Sequence, residues 1–280
     1  MKGASGTMSN DTTRTIQNIL KRMFFAFSDI CERNNLRYYL IDGSLLGAIR
    51  HKGFIPWDDD MDIAMPRPDY EKFCQIAKEE LPSNMYFVSY EESLKGQYFG
   101  EIAHLFCKDM KIETSYFDRD ITTDVWLDIM IMYGMPDNAY KRKVHYKRYY
   151  LCKGVARLGR IKNVGDRKYS KIEKMALFIA RKIDLSKLFN TEKLLLRSVS
   201  ILKKYPFDKS NYVVVVPSEY GDREIMPKEY YTKERHGEFE GKTILIAGEA
   251  EKILTSLYGD YMELPPVEKR TSKHKVRILT

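Results

Sequence analysis

Asp60 and Asp62 alternate with Met61 and Ile63 in a run that continues into apolar Ala64-Met65, and this short stretch constrains the fold more than any other. Read as a strand over 60–65, it sends side chains two apart to the same face. The two carboxylates then project together while their neighbours enter a core. Packing alone has little use for that, because like charges at close range repel and cost desolvation. A divalent cation removes the conflict, and carboxylates with phosphate oxygens are the ligands Mg²⁺ prefers. The plainer alternative is an acidic turn before a strand, with Asp58 and Asp59 solvated.

The order of elements favours the cation. A Gly43-Ser44 turn precedes a short helix predicted over 45–50; a loop follows, and then the acidic strand. Backbone N–H groups at a helix start can hold phosphate, and Ser44 adds a hydroxyl. Cation and phosphate sites thus fall within one supersecondary unit. Asp128 is the third acid of interest. It lies in Val125-Trp126-Leu127-Asp128-Ile129-Met130-Ile131, otherwise apolar. A lone Asp in a buried strand is costly unless it is paired or binds a metal; the alternative is an Asp facing solvent at a strand end. Asp60, Asp62 and Asp128 would supply three carboxylates from two adjacent strands, enough for one or two Mg²⁺ ions with phosphate oxygens completing the shell.

The rest of the chain supplies a frame. Its 280 residues are 44% hydrophobic, enough for a real core, and contain no apolar run long enough for a transmembrane helix. No charged-then-apolar leader opens the sequence. Cys31, Cys74, Cys107 and Cys152 are widely spaced and form no zinc-ligand pattern; buried free thiols in a reducing, cytoplasmic setting are expected. The net charge of +8 implies an anionic partner. It is unevenly spread: Lys141 to Lys204 holds twenty Lys/Arg against four acids.

Hydrophobic spacing predicts an amphipathic helix over 12–34, a strand over 37–41, a helix over 68–81, and strands over 85–90, 101–107, 111–116 and 125–132. Residues 138–205 read as helical in about three pieces, with breaks near 154–165 and 184–190. Short strands over 213–216 and 243–246 and a helix over 249–258 precede a tail containing Pro265-Pro266. The fold class is α+β, a mixed sheet core flanked by helices with an additional basic helical region. The divisions fall at 12–137 for the core, 138–210 for the basic helices, and 211–280 for C-terminal strands, helix and tail packing back on the core.

With these residues in place, a resemblance becomes specific. Gly43-Ser44, then Asp60-Met61-Asp62, then a distant Asp128 resembles the pattern of the nucleotidyltransferase superfamily. The longer string from Tyr39-Leu40-Ile41-Asp42-Gly43-Ser44 through Arg50-His51-Lys52-Gly53 to Trp57-Asp58-Asp59-Asp60-Met61-Asp62-Ile63 resembles the signature of the LicD family, bacterial phosphocholine transferases related to fukutin and fukutin-related protein. Leu257-Tyr258-Gly259-Asp260-Tyr261-Met262-Glu263-Leu264-Pro265-Pro266, followed by Lys269-Arg270, resembles that family's ending. The likeness brackets residues 14–275 and thins over 140–240.

The resemblance implies a nucleotidyltransferase-like core over 12–137 and a reaction. A CDP-linked alcohol, CDP-choline first, donates its phospho-alcohol to a hydroxyl of a cell-surface glycan or its lipid-linked precursor, and CMP leaves; CDP-ribitol and CDP-glycerol are the related donors. It implies Asp60, Asp62 and Asp128 as ligands of Mg²⁺, with Mn²⁺ as a substitute. Gly43 and Ser44 would cradle phosphate; Arg50, His51 and Lys52 would neutralise it; Asp58 matches the first acid of an alternating triplet. Arg270 and His274, in the tail, would reach the donor, against the default of a disordered terminus. Trp57 and Trp126 read as core residues.

The basic region over 141–204 invites peripheral contact with an anionic membrane on the inner face of the plasma membrane, against the alternative of a solvated basic face. Two other functions fit the residues less well. A true nucleotidyltransferase acting on a small molecule or RNA would suit the charge, yet no RNA-binding module is visible, so nucleic acid is not an expected partner. A non-catalytic adaptor would leave the three acids without a task.

Overall fold

The computed structural model describes residues 10–94, 102–116, 119–158, 190–217, 220–233, 235–272 and 276–279. Helix α1, Asn10–Arg33, presents Ile16, Leu20, Met23, Phe24, Phe27, Ile30 and Cys31 as one buried stripe at helical spacing. The stripe packs across strands β4 (Ala103–Tyr116) and β5 (Arg119–Met135). Between them in sequence come β1 (Tyr39–Leu40), α2 (Asp42–His51), β2 (Asp62–Pro66), α3 (Arg67–Glu80), β3 (Met85–Val88) and a short turn of helix, α4 (Tyr90–Glu92). The result is a mixed α+β architecture, as the hydrophobic pattern predicts.

β5 organises the sheet. One edge takes β2 in parallel, Asp62 beside Asp128 through Pro66 beside Met132. The other takes β4 antiparallel from 119 to 129, and then β6 (Tyr212–Val216) antiparallel from 131 to 135. β1 extends the sheet beyond β2, while β3 and β10 (Arg277–Leu279) pair with β4. β7 (Met226–Pro227) pairs with β6. The two strands expected over 101–107 and 111–116 are one strand. The register shifts between Cys107 and Lys111, a bulge that absorbs polar Lys108-Asp109 without ending the ladder.

Two expectations near the acidic run need correction. The helix expected over 45–50 starts at Asp42, so Gly43 and Ser44 form its first turn rather than a turn ahead of it. β2 starts at Asp62, so Asp60 lies in the approach to the strand and not within it. The cause is a bond from across the loop: the Asp62 N–H is taken by the Ser44 hydroxyl at 2.9 Å, which fixes where the ladder begins.

After β5 come helices α5 (Ala139–Leu158) and α6 (Thr191–Leu202), which pack together. α5 ends at Leu158, inside the stretch 154–165 where a break is expected, and 159–165 lie outside the described residues; α6 is capped by Asn190, whose side chain accepts the Lys193 N–H at 2.8 Å. The middle piece of the expected helical region falls within 159–189, outside the described residues. The chain then adds α7 (Glu229–Thr232), a hairpin of β8 (Arg235–Phe239) and β9 (Lys242–Ile246), and α8 (Ala250–Tyr258). β8 escapes sequence reading because Arg-His-Gly-Glu-Phe is mostly polar. Both β8 and α8 contact α2. All four cysteines are free thiols.

His145 on α5 is 7% exposed and sits edge-on to Tyr205, 4.8 Å away. Burial, then Lys204 and Arg148, push its pKa down to about 4. A depressed folded value means the stabilisation is whole above the unfolded value of about 6.5 and is lost as pH falls towards the folded value. Between pH 7 and 5 the wild type should therefore lose up to about 2 kcal/mol more stability than His145→Gln. Denaturant titrations of both proteins at the two pH values check this; equal losses would contradict it.

Candidate active site

The face of the sheet opposite α1 carries the polar residues. Along β5, Val125, Leu127 and Ile129 are buried while Trp126 and Asp128 are only partly so. Three strands then place polar side chains in one row: Asp62 on β2 beside Asp128 on β5, and Asp128 beside His104 on β4. Residues directly paired across a ladder share a face. The Asp128 N–H donates to the Met61 carbonyl at 3.0 Å, which holds the segment before β2 against β5. His104 is fully buried, and its Nε2 stands 3.1 Å from Asp128 Oδ1.

The Asp62 carboxyl is held well above the usual carboxylate range, first by burial and then by Asp60, Asp128, Asp42 and Asp58. Five carboxylates thus act on one spot. Asp42 opens α2 at a positive φ of 47°, a conformation that Asp tolerates better than most side chains. At Gly43, a Cβ would come within 2.7 Å of Asp58 Oδ2, so the absence of a side chain there is what lets Asp58 lie against the first turn of α2. Gln17 on α1 fixes the loop before the acids, donating to the carbonyls of Ile55 at 3.1 Å and Asp58 at 2.8 Å.

Cations gather at the other end of α2. Arg50 donates to the Tyr261 carbonyl at 2.6 Å and to His51 Nε2 at 3.0 Å. The Arg270 guanidinium lies 5.7 Å from the centre of the Trp57 ring, and His51 meets the same ring edge-on at 6.2 Å. Burial, then the nearby Arg270, lower the pKa of Arg50; burial, then Arg50, lower that of His51. Tyr258 stands between the two groups. Its phenol is pushed far up by burial, then by Asp42 and Tyr220, with Asp62 contributing, while Tyr258 also acts on Arg50. Its hydroxyl accepts from Tyr220 at 3.2 Å.

The structure therefore brings Asp58, Asp60, Asp62 and Asp128 together with Gly43 and Ser44, and places Arg50, His51 and Arg270 in a second group. Ser44 is committed in part to the Asp62 N–H. Lys52 is an exposed C-cap residue in the left-handed region whose carbonyl accepts from Glu240. His274 lies outside the described residues. Trp57 is half-buried and faces cations rather than sitting deep in the core. Asp42, His104 and Tyr258 escape the sequence reading. His104 carries the signal that singles out Asp128, a polar residue in an apolar strand; Asp42 reads as a turn residue, and Tyr258 is one of 20 tyrosines.

The residues fit a divalent cation by charge. No described cationic side chain pairs with Asp62, and its raised pKa records carboxylates that a cation would relieve. Among the described residues, no three carboxylates, imidazoles or thiols stand ready to hold an ion as they lie, so side chains would have to rotate for a cation to be held.

Fold and site together define an α+β protein with an acidic cluster on an open sheet face, flanked by a helix start and paired guanidiniums. Residues 35–149 match the family model described as LicD/FKTN/FKRP, nucleotidyltransferase domain. The chain is 32% identical over 271 residues to the lipopolysaccharide cholinephosphotransferase LicD of Haemophilus influenzae, covering 95% of this chain and 97% of that protein. It is 27% identical over 169 residues to an uncharacterised protein of Rickettsia prowazekii, covering 59% of each. With the human ribitol 5-phosphate transferase FKRP it shares 31% identity over 105 residues, 35% of this chain and 21% of that one. The chain belongs to the LicD family.

Proposed function

We propose that this protein transfers a phospho-alcohol, phosphocholine first among the candidates, from a CDP-linked alcohol to a hydroxyl of a cell-surface glycan or its lipid-linked precursor, releasing CMP. The observation that carries this reading is the similarity to the Haemophilus cholinephosphotransferase along nearly the whole chain. The acid cluster, with a cationic group at the other end of α2, supports it, since the donor's diphosphate needs both cation and guanidinium neutralisation.

Asp60, Asp62 and Asp128 would hold Mg²⁺, or Mn²⁺ in its place; when bound, it neutralises the diphosphate and the charge that develops on CMP. The acceptor oxygen forms a bond to the phosphorus of the phospho-alcohol. The bond from that phosphorus to the bridging oxygen breaks, and the electron pair leaves on CMP. A carboxylate of the cluster takes the acceptor proton. Gly43 and Ser44, in the first turn of α2, face phosphate oxygens with backbone N–H groups. Arg50 and Arg270 neutralise the donor, and Tyr258, neutral at any physiological pH, donates a hydrogen bond. The partial similarity to FKRP favours ribitol phosphate as the second candidate group.

Incubation with CDP-choline, CDP-ribitol or CDP-glycerol, with Mg²⁺ and with chelator, tests the reading. CMP should appear with one donor in preference to the others, cease on chelation and return with Mg²⁺ or Mn²⁺. The absence of CMP from all three, with or without a glycan acceptor, would remove this class of donor.

A further inference from the structure

Away from the acid cluster, α5 and α6 form a cleft of about 270 Å³ lined by His145, Arg148, Arg197, Ser200, Ile201 and Lys204. Three full cations meet there, and among the described residues no carboxylate lines it. Arg148, Arg197 and Lys204 make no ion pair with a described residue. Like charges so gathered repel one another until an anion sits among them. The depressed pKa of His145, caused after burial by Lys204 and Arg148, records the same positive field. His145 itself is buried, and its Nε2 makes no hydrogen bond with a described residue.

The same two helices hold apolar side chains in water. Tyr140 is 77% exposed, Val144 39%, Leu151 70% and Leu196 43%. On α5, Tyr140, Val144, Arg148 and Leu151 recur at four, four and three residues, which is one helix face. On α6, Leu196 adjoins Arg197 and stands one turn from Ser200. The cationic cleft is therefore bordered by apolar groups from both helices.

We propose that this face of α5 and α6 seats on a bilayer, with the cleft taking the phosphate of an anionic lipid headgroup. A free phosphate would satisfy the cations and leave the exposed apolar residues without a role. An apolar protein partner would cover those residues and leave the cations unneutralised. A charged interface with hydrocarbon beneath it answers both, since basic side chains draw anionic headgroups and apolar side chains enter the layer below. Among the described residues no helix is long and apolar enough to cross a membrane, so this attachment is peripheral. It does not rest on the phospho-alcohol reading.

Co-sedimentation of the full chain with vesicles of phosphatidylcholine alone, or of phosphatidylcholine with phosphatidylglycerol, tests it. The wild type should bind the second and not the first at low salt. Arg148→Gln with Arg197→Gln should weaken binding about thirtyfold. Lys72→Gln with Lys78→Gln, the same loss of charge on exposed positions of α3, should weaken it less than threefold, roughly. Lys204→Gln provides a second probe of the cleft if the double variant does not fold. CMP release in vesicle-free solution should be unchanged in all of them. No binding to phosphatidylglycerol vesicles, or equal losses in the cleft and α3 variants, would overturn the proposal. So would tight binding of inorganic phosphate that Arg148→Gln abolishes while vesicle binding is absent.

Discussion

Asp62→Asn should abolish CMP release while leaving the protein at least as stable as the wild type in chelator. The two halves of this result come from one cause. Asp62 is half-buried among Asp60, Asp128, Asp42 and Asp58, and its charged form is disfavoured by burial and by all four neighbours. An amide of the same shape removes that repulsion, so the folded state gains or holds its stability without cation. The same change removes a proposed cation ligand. Loss of the charge stabilisation a bound cation supplies amounts to several kcal/mol, or about a thousandfold or more in rate. Wild type should gain thermal stability on adding Mg²⁺, as any ligand of the native state requires, and Asp62→Asn should gain little. Melting curves with and without Mg²⁺, beside CMP release, read both. A variant that keeps its rate, or that Mg²⁺ stabilises as much as wild type, would show that Asp62 holds no ion.

His104 should prove to be a positioning residue for Asp128. Its imidazole is fully buried, 3.1 Å from Asp128 Oδ1, and meets Phe106, tilted at 5.6 Å, and Trp126, edge-on at 6.3 Å. An imidazole buried against aromatic rings can fix the carboxylate it meets. Partners of this kind, one bond removed from a proposed cation ligand, are worth about tenfold to a hundredfold in affinity or rate. His104→Phe keeps the ring volume and loses the contact; it should lower kcat by about tenfold to a hundredfold and change the KM for donor less than about threefold. His104→Gln, which can present an amide N–H to Asp128, should recover part of the loss. A purely structural role predicts instead that Phe, the better fit to an apolar neighbourhood, matches or exceeds Gln.

The sequence spoke most clearly where apolar periodicity met a misplaced charge. The buried stripe of α1, the strand character around Asp62 and Asp128, and the α+β class follow from patterns a few residues long. Asp60 was harder. Alternation continues through it, yet the ladder starts two residues later because a serine hydroxyl eighteen positions away takes the Asp62 N–H, and a long-range side-chain bond has no local signature. β4 divides into two on paper because a bulge imitates a turn. The grouping of Arg50 with Arg270, and of Tyr258 with Asp42 and Asp62, depends on α8 packing against α2, contacts that join chain segments some two hundred residues apart.

That long-distance closure sets a limit on dissection. β5 carries Asp128 in its middle, and three residues further on it begins to exchange backbone bonds with β6. A chain ending at 149 would keep every acid of the cluster and lose Arg270, Tyr258 and the strand that covers β5 beyond Ile131. Separating the acidic half from the cationic half would thus expose an unfinished sheet margin, so the two halves must be inherited, expressed and engineered as one piece.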